Sequence, residues 1–190
     1  AIERKNGVIG RLRDKNYHGV ADLNNAAIYD AEAKFINDNE IEIATADGSK
    51  EILSADKIFV NTGAESIIPP IDGDINSDKV YTSTTLIDEE ILPERLTIVG
   101  GGYIGLEFAT MYNAFGSEVS VIVPDEEILQ SEDSNIRAEI TKDMKESGIN
   151  FIFGERAEKV TDEGGSKITV TLSGEREVTS NAVLFATGRK

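Results

Sequence analysis

The sequence predicts a three-layer α/β fold that includes a β-meander. Three observations predict it. Residues 96–123 read as a strand, a glycine turn, a helix and a second strand. A helix over 133–147 and a strand over 150–153 continue the alternation. A polar meander follows from Val160, and the chain closes on the apolar run Ala182-Val183-Leu184-Phe185.

The elements follow in order. Residues 1–18 read as a weak helix: Ile2, Val8, Ile9 and Leu12 share a face, while Gly7 and Gly10 weaken it. Residues 26–60 read as a small antiparallel set. Ile41 and Ile43 alternate with Glu40 and Glu42, and Asp47-Gly48 signals a two-residue hairpin. Lys57-Ile58-Phe59-Val60 reads as a buried strand running into Asn61-Thr62-Gly63. Residues 64–81, with Pro69-Pro70 among several Asp, Gly and Asn, read as an irregular connection. A short helix starts near Thr84 or Thr85, with Asp88 in a capping role and Pro93 ending it. The strand 96–99 leads through the glycine turn to a helix from about 103 to 115, which Gly116 stops. A strand over 119–123 comes next. In 133–147, Ile136, Ile140 and Met144 share one side and Gly148 ends the helix. The meander has Ile168, Val170 and Leu172 in alternation between turns at Gly164-Gly165 and Ser173-Gly174, then Val178. KIFVNTG (57–63) and VLFATGR (183–189) echo each other as apolar strands closing on Thr-Gly.

Bulk properties exclude several classes of function. The length suits one or two domains, and the composition is that of an ordinary globular protein. A net charge of −16 repels phosphate backbones and anionic lipid, which argues against nucleic-acid and membrane-surface roles and favours solubility. No apolar run approaches the ~20 residues of a membrane span. No secretory signal is evident, so the expected site is cytoplasmic. There are no cysteines, and the lone histidine is His18, too few parts for thiol chemistry, a catalytic triad or a histidine-rich metal site. Residue 1 is Ala and the first Met is Met111, so the chain reads as an interior piece of a longer one.

The chemistry concentrates at Gly100-Gly101-Gly102-Tyr103-Ile104-Gly105, which has the spacing G-x-G-x-x-G between a strand and a helix. That context makes it a Rossmann-like dinucleotide turn. Gly100 permits the tight turn, Gly102 removes a side chain where pyrophosphate approaches the backbone, and Gly105 lets the helix lie close on the sheet. The helix start offers N–H groups and a positive dipole end to phosphates. The second strand of such a unit usually ends on an acidic residue that bonds the ribose hydroxyls. Here that slot holds Val123, followed by Pro124, Asp125, Glu126 and Glu127. Either Asp125 reaches the ribose instead, or Asp125 to Glu127 form a solvated loop. No Lys, Arg or His occurs from Leu96 to Ile136, so a 2′-phosphate meets negative charge and no local cation; NADH is expected over NADPH. A basic residue from elsewhere, such as Arg137 or Lys159, folding over the site would reverse this.

Three motifs resemble the pyridine nucleotide-disulfide oxidoreductases. LTIVGGGYIGLEFA (96–109) is similar to their NAD(P)-binding motif, KIFVNTGAESIIPPIDG (57–73) to the connection leaving their FAD domain, and VLFATGRK (183–190) to the return into it. YTSTTLIDEEILPERL (81–96) resembles the link between the two domains. The resemblance implies an NAD(P)-binding domain inserted in a partial FAD-binding domain: 1–80 as an FAD-domain segment, 81–182 as the NAD(P)-binding domain, and 183–190 as the return strand. It implies that Tyr103 shields the flavin until nicotinamide displaces it and that Glu107 helps position the nicotinamide. Read without the family, Tyr103 is a surface residue at a helix start and Glu107 a solvated helix residue. Ile104 joins the glycines in the nucleotide site, and Thr62, Gly63, Thr187 and Gly188 join the FAD side. The family's first glycine fingerprint, redox cysteine pair and His-Glu acid/base pair are not in this sequence, and Ala64 and Ser66 stand where Ser and Pro are commoner. The implied parent is a homodimer moving hydride from NAD(P)H to FAD; the piece alone is expected to be inactive and monomeric. A direct dehydrogenase is disfavoured, since no His, Lys or Tyr constellation for proton transfer stands out. A dinucleotide-sensing module remains the alternative.

Overall fold

A computed structural model describes residues 2–190. The chain forms two compact units, one ending at Gly63 and one spanning Ala64–Lys190.

In the first unit, helix α1 (Ile2–Ala21) buries none of its residues. An antiparallel sheet follows, β1 (Ala31–Asn37), β2 (Glu40–Thr45) and β3 (Lys50–Ser54), in the order β1-β2-β3. Ile43 is the buried residue of β2, as its alternation with glutamates predicts. The β2–β3 turn is longer than the predicted two-residue hairpin, because only Gly48 takes a positive φ and Asp47 does not. Asp47 instead folds its carboxylate back to accept Ser49 N–H at 3.0 Å and the Thr45 and Ser49 hydroxyls at 2.5 and 2.7 Å. Residues 57–60 are not the predicted buried strand. They pair with no strand among the described residues, and Phe59 and Val60 are 88% and 67% exposed. An apolar run becomes a strand only where a neighbour supplies backbone partners.

The second unit has three layers. Its centre is a parallel sheet in the order β5-β12-β6-β7-β8, built from β5 (Val80–Thr82), β6 (Arg95–Val99), β7 (Glu118–Val123), β8 (Asn150–Phe153) and β12 (Ala182–Phe185). Helices α2 (Ser83–Leu86), α3 (Tyr103–Phe115) and α4 (Ser134–Glu146) make one outer layer. The other is the meander β9 (Ala157–Gly164), β10 (Lys167–Leu172) and β11 (Glu177–Ser180), with the short β4 (Asp72–Gly73) at its edge.

Strand alternation divides the core between the two faces. Leu96 and Ile98, Val119 and Val121, and Ala182 and Leu184 meet Leu106, Phe108, Ala109 and Tyr112 on the helix side. Val99, Ile122, Val183 and Phe185 meet Val160, Ile168, Val170 and Leu172 on the meander side. Helix α3 has the predicted bounds, ending at Gly116 with φ 104. Helix α4 touches the core mainly through Met144 and Ile140, and Ile136 is 47% exposed instead of sharing their buried side. Helix α2 starts one residue before the predicted range. Its cap is Thr82, whose N–H donates to Thr85 Oγ1 at 3.0 Å; Asp88 lies beyond the helix end and cannot cap its start. The 64–81 connection is more ordered than predicted, since it supplies β4 and the start of β5. Lys79 anchors it by an ion pair of 2.5 Å to Asp162 on β9.

Candidate nucleotide-binding site

The carboxyl ends of β12, β6 and β7 open into a cleft of about 950 Å³. Strand β6 is followed by α3 and β7 on one side, while β12 lies on its other side. This is the switch point at which open parallel sheets take ligands. The glycine turn forms the floor. Gly100 has φ 121, and a Cβ there would lie 2.4 Å from Ala186 O on the end of β12. Gly105 is fixed by contact: its Cβ would stand 2.2 Å from Gly100 O. Gly101, to which the sequence assigned no role, packs where a Cβ would meet Val123 methyls at 2.9 and 3.1 Å.

Gly102 differs from these three. It is the N-cap of α3, with φ −84 and ψ 177, and a Cβ on it meets no atom within 4 Å. Packing and backbone conformation therefore leave its lack of a side chain unexplained, whereas an open approach to the first-turn amides explains it. Those amides have no intrahelical acceptor. N–H groups of this kind could hold a phosphate or pyrophosphate by charge-assisted hydrogen bonds.

Tyr103 and Ile104 line the same cleft. Tyr103 is 56% exposed and its phenol donates to Glu132. That hydrogen bond to a carboxylate raises the phenol pKa above its ordinary value. Leu129, in the same loop, has φ 47 and bonds Gly101 O through its N–H at 3.3 Å, tying the loop to the glycine turn. Glu107 lies one turn along α3 from Tyr103, exposed and on the same side of the helix. Thr187 and Gly188 line the β12 end of the cleft, where Thr187 Oγ1 donates to Ile67 O at 2.6 Å. Thr62 and Gly63 are exposed and belong to the first unit.

At the other end, Val123 is 2% exposed and offers no acceptor. Asp125 is exposed, and its carbonyl receives Gly154 N–H at 3.1 Å, joining the β7 loop to the end of β8. Glu127 also lines the cleft but is engaged by Arg137 at 3.0 Å. Neither Arg137 nor Lys159 lines the cleft; Arg156 does, and so does Arg189, whose guanidinium donates to Ala64 O. Neither Arg156, which lines the cleft, nor Glu132, which meets Tyr103, has a local signal in the sequence, because loops distant along the chain bring them in.

The match to known proteins covers the same residues. Residues 3–190 match the family described as pyridine nucleotide-disulphide oxidoreductase. The chain belongs to that family. It is 37% identical over 190 residues to the probable pyridine nucleotide-disulfide oxidoreductase RclA of Escherichia coli, covering all of this chain and 42% of that protein. A mercuric reductase of Lysinibacillus sphaericus is 36% identical over 191 residues, 34% of its length. Among solved structures, a Cu(II) complex of the HOCl-induced flavoprotein disulfide reductase RclA from E. coli superposes with a TM-score of 0.91 at 36% identity, covering all of this chain and 42% of that one. The chain thus spans less than half the length of these relatives.

Proposed function

We propose that this chain is the NAD(P)H-binding portion of a flavin-dependent oxidoreductase and that it positions nicotinamide for hydride transfer to FAD. The open Cβ position at Gly102, beside free helix-start amides, is the observation that carries this reading. The family supports the redox assignment, and the relative RclA is described as a flavoprotein. When bound, the nicotinamide supplies a hydride and the flavin accepts it. The protein binds and orients. The amides of Tyr103, Ile104 and Gly105 hold the pyrophosphate between the two nucleoside halves. The adenosine half runs toward Val123 and Asp125, as the ribose position of the fold requires. The nicotinamide half runs the other way, past Tyr103 and Glu107 toward Thr187. On this reading Tyr103 covers the flavin face until nicotinamide displaces its ring. The parent protein is a cytoplasmic homodimer in this account.

NADH is the preferred nucleotide. Asp125 lines the β7 end of the cleft, whereas Glu126 lines a separate groove along α4, so one exposed charge opposes a 2′-phosphate, by roughly 0.5–1 kcal/mol at low salt. Val123 removes the usual ribose acceptor, so affinity for NADH is modest. Calorimetric titration of the chain with NADH and NADPH tests both points. NADH binding at one site supports the reading; no binding of either nucleotide defeats it.

A further inference from the structure

The charge balance of the cleft differs from what its local sequence suggests. Glu127 is paired with Arg137, whose side chain is 18% exposed, so it repels a phosphate less than a free carboxylate would. Arg156, in the link between β8 and β9, lines the same cleft. Its backbone is fixed: its N–H donates to Ser173 Oγ at 3.2 Å, and its carbonyl receives Ser173 N–H at 2.9 Å. The neighbouring Glu155 also lines the cleft, but its carboxylate is engaged by the β10–β11 turn, where it accepts Gly174 N–H at 2.8 Å. No carboxylate lies within ion-pair distance of the Arg156 guanidinium among the described residues. Of the two arginines lining the cleft, Arg189 is bonded to a carbonyl at the β12 end, and β12 lies two strands from β7, about 10 Å away. Arg156 is on the β7 side, two residues past Gly154, which bonds Asp125 O.

A guanidinium held by its backbone, free of protein partners and beside the ribose slot is suited to a phosphate monoester. We infer that Arg156 is the specificity-determining residue through which this site admits the 2′-phosphate of NADPH, so that the preference for NADH is small and rests on Asp125 and Arg156 in opposition. This inference rests on the reading of the cleft as a nucleotide site. The adenosine ribose takes the β7 end, where Val123 lets the 2′ position approach without a competing side-chain acceptor. Arg156 then meets the added phosphate across the slot.

The test is calorimetric titration of NADH and NADPH into the wild-type chain and Arg156→Gln, at low and high salt. Arg156→Gln should weaken NADPH by roughly tenfold or more, as loss of one charge-assisted hydrogen bond requires, and change NADH by less than about twofold. NADPH affinity in the wild type should fall with salt more steeply than in the variant. The variant should melt with the wild type, since its guanidinium holds no protein group. Equal weakening of both nucleotides would overturn the inference, because Arg156 would then touch a part common to both. Unchanged NADPH binding would overturn it as well. If the wild-type chain binds neither nucleotide, the site reading itself fails and the inference falls with it. Competition by adenosine 2′,5′-bisphosphate against 5′-AMP repeats the comparison on the adenosine half alone.

Discussion

Gly102→Val should abolish nucleotide binding in a protein that still folds. The backbone at Gly102 is extended, a conformation valine adopts without strain, and a Cβ there meets no atom within 4 Å. The cost to the fold is then the loss of a tolerated N-cap residue, about 1 kcal/mol, or ~2–4 °C in melting temperature for a chain of this size. Gly105→Ala is the matched control. Its Cβ would lie 2.2 Å from Gly100 O, so the helix must move off the turn. Overpacking of this kind costs ~1–3 kcal/mol and more where backbone is the obstacle. The ligand reverses the order. Valine methyls over the first turn displace the pyrophosphate from amides whose hydrogen bonds to charge are worth ~1.5–3 kcal/mol each, so NADH affinity should fall at least ~10-fold. Calorimetry with NADH and thermal melts of both variants measure the two effects. The reasoning is refuted if Gly102→Val keeps NADH affinity within about twofold, or melts as early as Gly105→Ala.

Three other outcomes are expected. The purified chain should be colourless and should not turn over NADH with dihydrolipoamide, glutathione disulfide or metal ions, because the proposed function assigns its single glycine fingerprint to the nicotinamide nucleotide and it holds no thiol; a flavin absorbance band or measurable turnover would contradict this. Asp162 has its pKa lowered to about 2, first by the hydrogen bond from Lys79, then by Ser77 and the Gly164 N–H. Its stabilisation is therefore fully present above its unfolded value near 3.8 and is lost as pH falls toward 2, so urea unfolding of Asp162→Asn should be less stable at pH 6 and differ little from wild type at pH 2. Glu132→Gln removes the carboxylate that holds the Tyr103 proton, so spectrophotometric titration should show one phenol ionising at lower pH than in the wild type; an unchanged curve would mean the two side chains do not meet in solution.

Much of the second unit was legible in the sequence. Helix α3 was bounded correctly because Gly102 and Gly116 bracket a continuous apolar segment, and β8 because a short apolar run follows a helix stop at Gly148. Short edge strands were not legible. β4 and β5 have two and three residues, too few for alternation to register, and tertiary pairing with β9 and β12 defines them. Residues 57–60 erred in the opposite sense: their composition suits a sheet interior, but strand formation depends on neighbours. The site divided in the same way. The glycine turn is local, so its spacing displayed it. Glu132 meets Tyr103, and Arg156 reaches the cleft, only through loops whose courses depend on Leu129 at positive φ and on the Ser173 anchor. The 96–136 segment holds no cation, and Arg156, in the cleft beside it, comes from the β8–β9 link.

A nuclear magnetic resonance titration of the isotope-labelled chain with NADH tests the central claim most directly. The account predicts the largest amide shifts at Gly101 to Gly105, with smaller ones at Val123 to Asp125 and at Thr187. Shifts confined to other residues, with the 101–105 amides unmoved at saturation, would contradict it.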